Sequence, residues 1–238
     1  MNITKLTSPN RNTGRQGNTP DFIVCHITDG AFDGAVSWAM NAEAQVSYHF
    51  LVARDGRVTQ VVDIADTAWG NGTTNSGDNR DNRNSKIAAV RERRLNANLY
   101  TVSIGFEGRW NETRGELTAV QLSTGVELIK HIRSEVKRIY GFEIPMKRTN
   151  IIGHFEVTPI TKPNCPGERF PWDELIRLLN PVVVPPPVTP PAAGVADWAK
   201  EAWAWAVANG ITDGTRPADN ATRQEVVTLL HRVLGKVK

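Results

Sequence analysis

A proline run close to residue 190 constrains this chain more than any other feature. Residues 181–194 read PVVVPPPVTPPAAG, six prolines in fourteen positions. Each proline holds φ at about −65° and removes a backbone donor, so neither a helix nor a central strand can run through the stretch. It reads as a polyproline-II spacer of roughly 40 Å, at about 3.1 Å per residue. A chain of 238 residues interrupted in this way does not close around one core. The expected division is residues 1–180, a linker at 181–194 and a small module at 195–238. Such a spacer tethers two modules that reach different points on one large target.

Charge excludes one class of partner. Residues 1–180 carry 22 basic and 20 acidic side chains and residues 195–238 carry 6 and 5, for a formal net charge of +3. Neither part has the basic surplus with which nucleic-acid binders neutralise phosphates. The N-terminus, MNITKLTSPNRNTGRQG, has no apolar core of signal-peptide length, and no stretch is long enough to span a bilayer. The expectation is a protein made in the cytoplasm, without a signal peptide and with no membrane span. Cys25 and Cys165 are too few for a disulfide framework, and Cys165 has a better use than a single bridge.

Upstream of the prolines, strand and helix signals alternate. Apolar, β-rich runs predict strands at Phe22–Ile27, Val46–Val52, Arg57–Val62, Thr101–Glu107 and Asn150–Ile152. Arg54-Asp55-Gly56 is a hairpin signal between the second and third. Gly34–Met40 reads as helix. Thr118 with Gln121 forms a capping-box pattern opening a long helix, with Leu122, Val126, Ile129, Ile132, Val136 and Ile139 at helical spacing and Gly141 at its end. A further helix covers Pro171–Leu179, with proline in its first turn. Residues from Gly70 to Asn84, rich in Gly, Asn, Asp and Thr, read as a long surface loop.

Three residues have the chemistry of metal ligands. His26 ends an apolar strand, where an unpaired buried ring nitrogen costs about 1–3 kcal/mol. His154 follows another short strand and a glycine. Cys165 lies in the rigid loop Lys162-Pro163-Asn164-Cys165-Pro166-Gly167. Two imidazoles and a thiolate suit zinc and leave its fourth position open. Spacing alone leaves a second reading standing: two hydrogen-bonded histidines and an inert thiol.

The surrounding segments carry a resemblance. IVCHIT (23–28), SYHFLVARDGR (47–57), SIGFE (103–107) and GHFEVTPITKPNCPGE (153–168) follow one another in an order that resembles the zinc amidases. These include phage amidase-type lysozymes, type-2 N-acetylmuramoyl-L-alanine amidases and peptidoglycan recognition proteins. The resemblance spans residues 20–180 and implies an α/β fold: a central mixed β-sheet flanked by helices, with zinc (Zn2+) in a surface cleft. It implies a metal triad of His26, His154 and Cys165, and a proton-shuttling glutamate at Glu107. It places a tyrosine found in some members at Tyr48, and an oxyanion-stabilising lysine nearest Lys162. That lysine stands three places before the last ligand here, against two in relatives. Trp69 reads as a sugar platform or a core aromatic; many relatives continue from it with histidine, whereas this chain has Gly70. His49 should face away from Tyr48, and His131, His231 and Cys25 read as packing residues.

In the small module, Trp198, Ala202, Trp205 and Ala206 recur at helical spacing, and Asn209-Gly210 stops that helix. Thr222 and Glu225 form a second capping box, with Val226, Leu229, Leu230 and Val233 on one face beyond it. The WA…A…NGI.DG…P…TR.E pattern resembles one repeat of the surface-layer homology module, which implies an α-helical unit binding a secondary cell-wall polymer. A lone repeat of this length has a marginal core, so dimerisation as a homodimer, docking on the larger unit and weak binding all stay open. Together these readings imply a peptidoglycan hydrolase that cleaves the amide bond between N-acetylmuramic acid and the L-alanine of the stem peptide by a zinc-activated water: a phage endolysin released through a phage-encoded membrane pore, with a host autolysin or a spore-phase enzyme left open. The rival reading is a non-catalytic peptidoglycan-binding protein of the same fold, whose typical members lose the cysteine retained here. A different peptidoglycan cut, by a peptidase on the same scaffold, is the third.

Overall fold

A computed structural model of the chain describes residues 1–71, 82–181, 194–212, 214–216 and 218–236, with side chains described as far as His231. Most of the predicted spacer and of the loop from Gly70 to Asn84 lies outside the described residues. The chain forms two compact units, Met1–Pro181 and Val182–Lys238.

The strands are β1 (Ile3–Lys5), β2 (Arg11–Asn12), β3 (Phe22–Ile27), β4 (Phe50–Val52), β5 (Val58–Gln60), β6 (Thr67–Ala68), β7 (Thr101–Phe106) and β8 (Ile151–Gly153). The helices are α1 (Phe32–Met40), α2 (Ala88–Arg93), α3 (Trp110–Thr113), α4 (Ala119–Tyr140), α5 (His154–Val157), α6 (Trp172–Leu179), α7 (Lys200–Ala208) and α8 (Arg223–Lys236). Six strands form a mixed sheet in the order β1-β5-β4-β7-β3-β8. Only the β4–β5 hairpin is antiparallel. β2 and β6 form a separate two-stranded ribbon.

The central strands are apolar because both of their faces are covered. Ile23, Cys25, Ile104 and Phe106 pack with Val126, Ile129 and Ile132 of α4 and Leu175 of α6. On the other face Val24 and Ile152 meet Val90 of α2, Tyr100 and Val157, while Leu51 meets Phe32 and Ala39 of α1. Fully burying each aliphatic side chain stabilises the fold by roughly 1.5–3 kcal/mol. Cys25 belongs to the α4 side, opposite His26, as strand alternation requires.

Two expected elements differ in their hydrogen bonding. The strand expected at Val46–Val52 begins only at Phe50. Upstream, Ser47 Oγ donates to the Asn10 carbonyl (2.6 Å) and accepts from Trp69 N–H (2.9 Å), and His49 Nδ1 accepts from Ser103 N–H (3.0 Å). These buried polar side chains bond to neighbouring backbone and replace a regular ladder. At α4, Thr118 caps Gln121 N–H (3.0 Å), but Gln121 does not complete the box. Its amide donates to the carbonyls of Val52 (3.2 Å) and Glu107 (3.0 Å), clamping the start of α4 onto the sheet. Gly141 closes that helix at φ 70°. Pro171 stands at the N-cap of α6 rather than in its first turn.

In the C-terminal unit, α7 stops where Asn209 N–H bonds the Trp205 carbonyl (3.0 Å). Here the capping box is complete: Thr222 N–H donates to Glu225 Oε2 (2.8 Å), and Glu225 N–H donates to Thr222 Oγ1 (3.2 Å).

Candidate metal centre

The register of three parallel strands builds the centre. His26 pairs with Gly105 of β7, and Cys25 pairs with Gly153 of β8. His26 at the end of β3 and His154 at the start of α5 thus come together, with ring centroids 4.4 Å apart. The turn after α5 returns Cys165 to the same point: its Sγ lies 4.0 Å from His26 Nδ1 and accepts from Ile27 N–H at 3.4 Å. One donor atom from each of the three residues lies within 4.8 Å of the other two.

The supports are local. Glu156 accepts from Gly153 N–H (2.7 Å) and from Arg148 (2.8 Å), which fixes the first turn of α5 and with it His154. Phe155 N–H donates to the Cys165 carbonyl at 2.8 Å. Gly167 sits at φ 130° against residue 114; a Cβ there would lie 2.1 Å from the Arg114 carbonyl oxygen, so only glycine lets the cysteine loop pack.

Burial sets the charge states. It is the largest cause holding both histidines well below their usual range, His154 at about 3. The nearby Lys162 ammonium adds to this, and for His26 so does His154. Burial pushes the Cys165 thiol up to about 12, opposed by Ile27 N–H and Lys162. His26 Nε2 and His154 Nε2 are buried without a hydrogen-bond partner. Two imidazoles and a thiol with donor atoms this close together are a donor set that zinc takes, and a buried ring nitrogen left unpaired costs stability. The residues fit a zinc ion.

Around this cluster, Tyr48 stands edge-on to His26 at 5.2 Å, half-buried. Gly105 makes room for it, since a Cβ there would lie 3.3 Å from the Tyr48 ring. Lys162 is exposed but electrostatically coupled to all three ligand residues. Its carbonyl accepts from Cys165 N–H (3.3 Å). Glu107 lies two residues beyond Gly105, on the same sheet face as His26. Its oxygens accept from Phe32 N–H (3.1 Å) and Arg54 N–H (2.7 Å). It borders a cleft of about 460 Å³ with Gly30, Ala31, Arg54, Arg109 and Thr113. A groove of about 1160 Å³ lined by Leu6, Phe32, Arg57 and Lys130 contains none of these site residues. Trp69 is tied to the β2–β6 ribbon through Nε1–H to Asn12 Oδ1 (2.7 Å).

Other residues of the site leave little mark in the sequence. The Asn71 backbone carbonyl accepts from the His154 ring, while the Asn71 side chain bonds Thr101 Oγ1 (2.7 Å) and its N–H bonds Asn98 Oδ1 (2.8 Å). A second partner of this kind orients a metal-ligating histidine. Gly70 is buried, and a Cβ there would meet Ser103 Oγ at 2.6 Å and the Ser47 carbonyl at 3.2 Å. The histidine of relatives therefore has no room at this position.

The family described as N-acetylmuramoyl-L-alanine amidase matches residues 16–168, and the chain belongs to it. N-acetylmuramoyl-L-alanine amidase A of Achromobacter lyticus is 26% identical over 180 residues, covering 71% of this chain and 88% of the relative. The 1,6-anhydro-N-acetylmuramyl-L-alanine amidase AmpD of Haemophilus influenzae is 28% identical over 134 residues, 56% of this chain and 59% of its own length. Among solved structures, a mutant of PlyL matches with a TM-score of 0.51 at 18% identity, covering 76% of this chain and 100% of that one. A selenomethionine derivative of AmpD matches at 0.50 and 21% identity, covering 74% and 94%. These two structures share the mixed sheet flanked by helices.

Proposed function

We propose that the N-terminal unit hydrolyses the amide bond between N-acetylmuramic acid and the L-alanine of the stem peptide, using zinc held by His26, His154 and Cys165. The observation that carries this reading is the convergence of His26, His154 and Cys165, one donor atom of each lying within 4.8 Å of the other two, with both histidines buried. When bound, zinc supplies Lewis acidity: it polarises a carbonyl and lowers the pKa of water toward about 7. Glu107 acts as the proton carrier, taking a proton from the attacking water and delivering it to the departing alanine amine. Its two backbone donors hold the carboxylate in one orientation, and each oxygen keeps a further lone pair for that proton. Lys162 places its ammonium where negative charge develops on the lactyl oxygen. Tyr48 and Trp69 contribute substrate contacts.

The C-terminal unit anchors the enzyme to a secondary cell-wall polymer, across the proline spacer. No described helix is long and apolar enough to cross a membrane. Mass spectrometry of digested walls tests the cut: free stem peptides with an N-terminal alanine and intact glycan strands are expected. Wall binding with no new product would leave a peptidoglycan-binding protein, and glycan or interpeptide fragments would overturn the bond assignment. A fluorescent fusion of residues 195–238 that fails to decorate Gram-positive walls would remove the anchoring role.

A further inference from the structure

The turn between β4 and β5 carries two arginines in different states. Arg57 is paired with Asp55 (2.9 Å) and Asp33 (3.2 Å). The Arg54 backbone is fully engaged: its N–H donates to Glu107 Oε2 (2.7 Å) and its carbonyl accepts from Thr118 Oγ1 (2.7 Å). Its side chain is exposed, and the guanidinium has no ion pair or hydrogen bond among the described residues. An arginine in water needs no partner, so its place decides whether it matters.

That place is the cleft of about 460 Å³ beside Glu107, lined by both Arg54 and Arg109. Neither His26, His154, Cys165, Tyr48 nor Lys162 lines it. Glu107 does, and it also lines a second, small space together with His26. It therefore borders both the ligand cluster and the cleft. The carboxylates of the cleft already have donors. Glu107 accepts from Phe32 N–H and Arg54 N–H. Glu112 faces Arg109 at 3.8 Å, with both side chains more than half exposed, a contact too loose to commit either. Arg54 is left uncommitted, with Arg109 loosely held nearby.

A guanidinium presents a planar fork of donors that matches a carboxylate. Where Glu107 protonates the departing alanine amine, the next residue lies only about 3.3–3.6 Å farther along the peptide. In the stem peptide that residue is a glutamate joined through its side chain, which leaves its α-carboxylate free. We propose that this cleft is the peptide subsite of the enzyme, in which Arg54, supported by Arg109, takes that α-carboxylate. The proposal rests on the amidase reading and adds a choice of wall to it. Stems with a free carboxylate on the second residue are preferred over stems amidated there, because an amide offers one acceptor oxygen and sets its own N–H donors against the guanidinium.

Two soluble N-acetylmuramoyl tripeptides, alike except for a carboxylate or an amide on the second residue, test it. The carboxylate form should show a kcat/KM roughly tenfold or more above the amide form. Arg54→Gln should abolish that preference, chiefly through KM, and Arg54→Lys should keep part of it. Arg109→Gln should reduce it. Arg57→Gln, on the same turn but already paired, should leave it intact. Zinc content and melting temperature of Arg54→Gln should match the parent chain, because the donor to Glu107 is backbone. Binding of the two released tripeptides, followed by nuclear magnetic resonance, reads the subsite without the cut. Equal turnover of the two substrates, or a preference that survives Arg54→Gln, overturns the proposal and leaves the amidase reading standing. Carboxylate-selective binding that depends on Arg54, with neither substrate cleaved, defeats the amidase reading and leaves the carboxylate site in place.

Discussion

In the N-terminal unit polar side chains are shut away from water, whereas in the C-terminal unit large apolar ones face it. Both placements cost free energy, and the difference lies in what answers the cost. Arg15 is as buried as His154, yet its guanidinium donates to the carbonyls of Ile64, Asn98, Leu99 and Thr101 and lies 2.7 Å from His49 Nε2. Its burial is answered within the chain, and it is structural. His26 Nε2 and His154 Nε2 have no such answer, and neither do Trp198 and Leu230. An exposed carboxylate or a buried leucine needs no partner. The unpaired ring nitrogens belong to the cluster proposed to hold zinc, and the exposed apolar side chains belong to the unit proposed to bind the wall.

The largest effect should come from removing the buried polar cluster. His154→Ala and Cys165→Ser should each reduce wall hydrolysis to background and lower bound zinc well below one per chain by elemental analysis. Full zinc occupancy in both variants would move the metal elsewhere. Next, Glu107→Gln should retain zinc and fold while losing about 10²-fold in rate; a near-normal rate would make that carboxylate a structural acceptor for Phe32 and Arg54 N–H. Smaller still is Gly70→Ala, which should cost about 1–3 kcal/mol by overpacking against Ser103 and Ser47, read as a lower melting temperature with the zinc content unchanged.

A last test concerns pH and sharpens the contrast directly, in chelator-treated protein. His154 is held at about 3 against an ordinary 6.5, so the unfolded chain takes up a proton that the folded one refuses. Stability should fall as pH drops from 6.5 toward 3. Cys165 lies at about 12 against 9.0. The unfolded thiol ionises where the folded one stays neutral, so stability should also fall as pH climbs from 9.0 toward 12. Zinc held as proposed would take the thiolate and should flatten that upper limb. Thermal unfolding with and without chelator reads both limbs; an upper limb indifferent to zinc would remove Cys165 from the ligand set.

Much of the sheet was legible from residue order. Strands at Phe22–Ile27 and Thr101–Glu107 stand out because covered parallel strands must be apolar throughout, and α4 announces itself by spacing and caps. β1 was missed: Ile3–Lys5 is a three-residue edge, half-buried at Ile3 alone, with too few apolar positions to show a period. β2 and β6, two residues each, are shorter than any period. Val46–His49 alternates like a strand, yet Ser47 and His49 bury polar groups that bond to other backbone. At the centre, ligand types could be read from the sequence, and the Asn71 contact could not, because a backbone carbonyl belongs to every residue. Nor does the sequence alone reveal that Gly70 has no space for a side chain.

The approach of Cys165 Sγ to His26 Nδ1 joins positions 139 apart in the chain, and β3 must sit between β7 and β8 before it can form. Contacts of such long range close late, after the loop entropy between them has been overcome. Ion uptake should therefore lag behind helix formation during refolding, and a chain ending before residue 165 lacks one of the three proposed ligands. The time course of zinc capture then becomes a clock for the last stage of assembly, readable with a colorimetric chelator while spectroscopic signals of α4 have already reached their plateau.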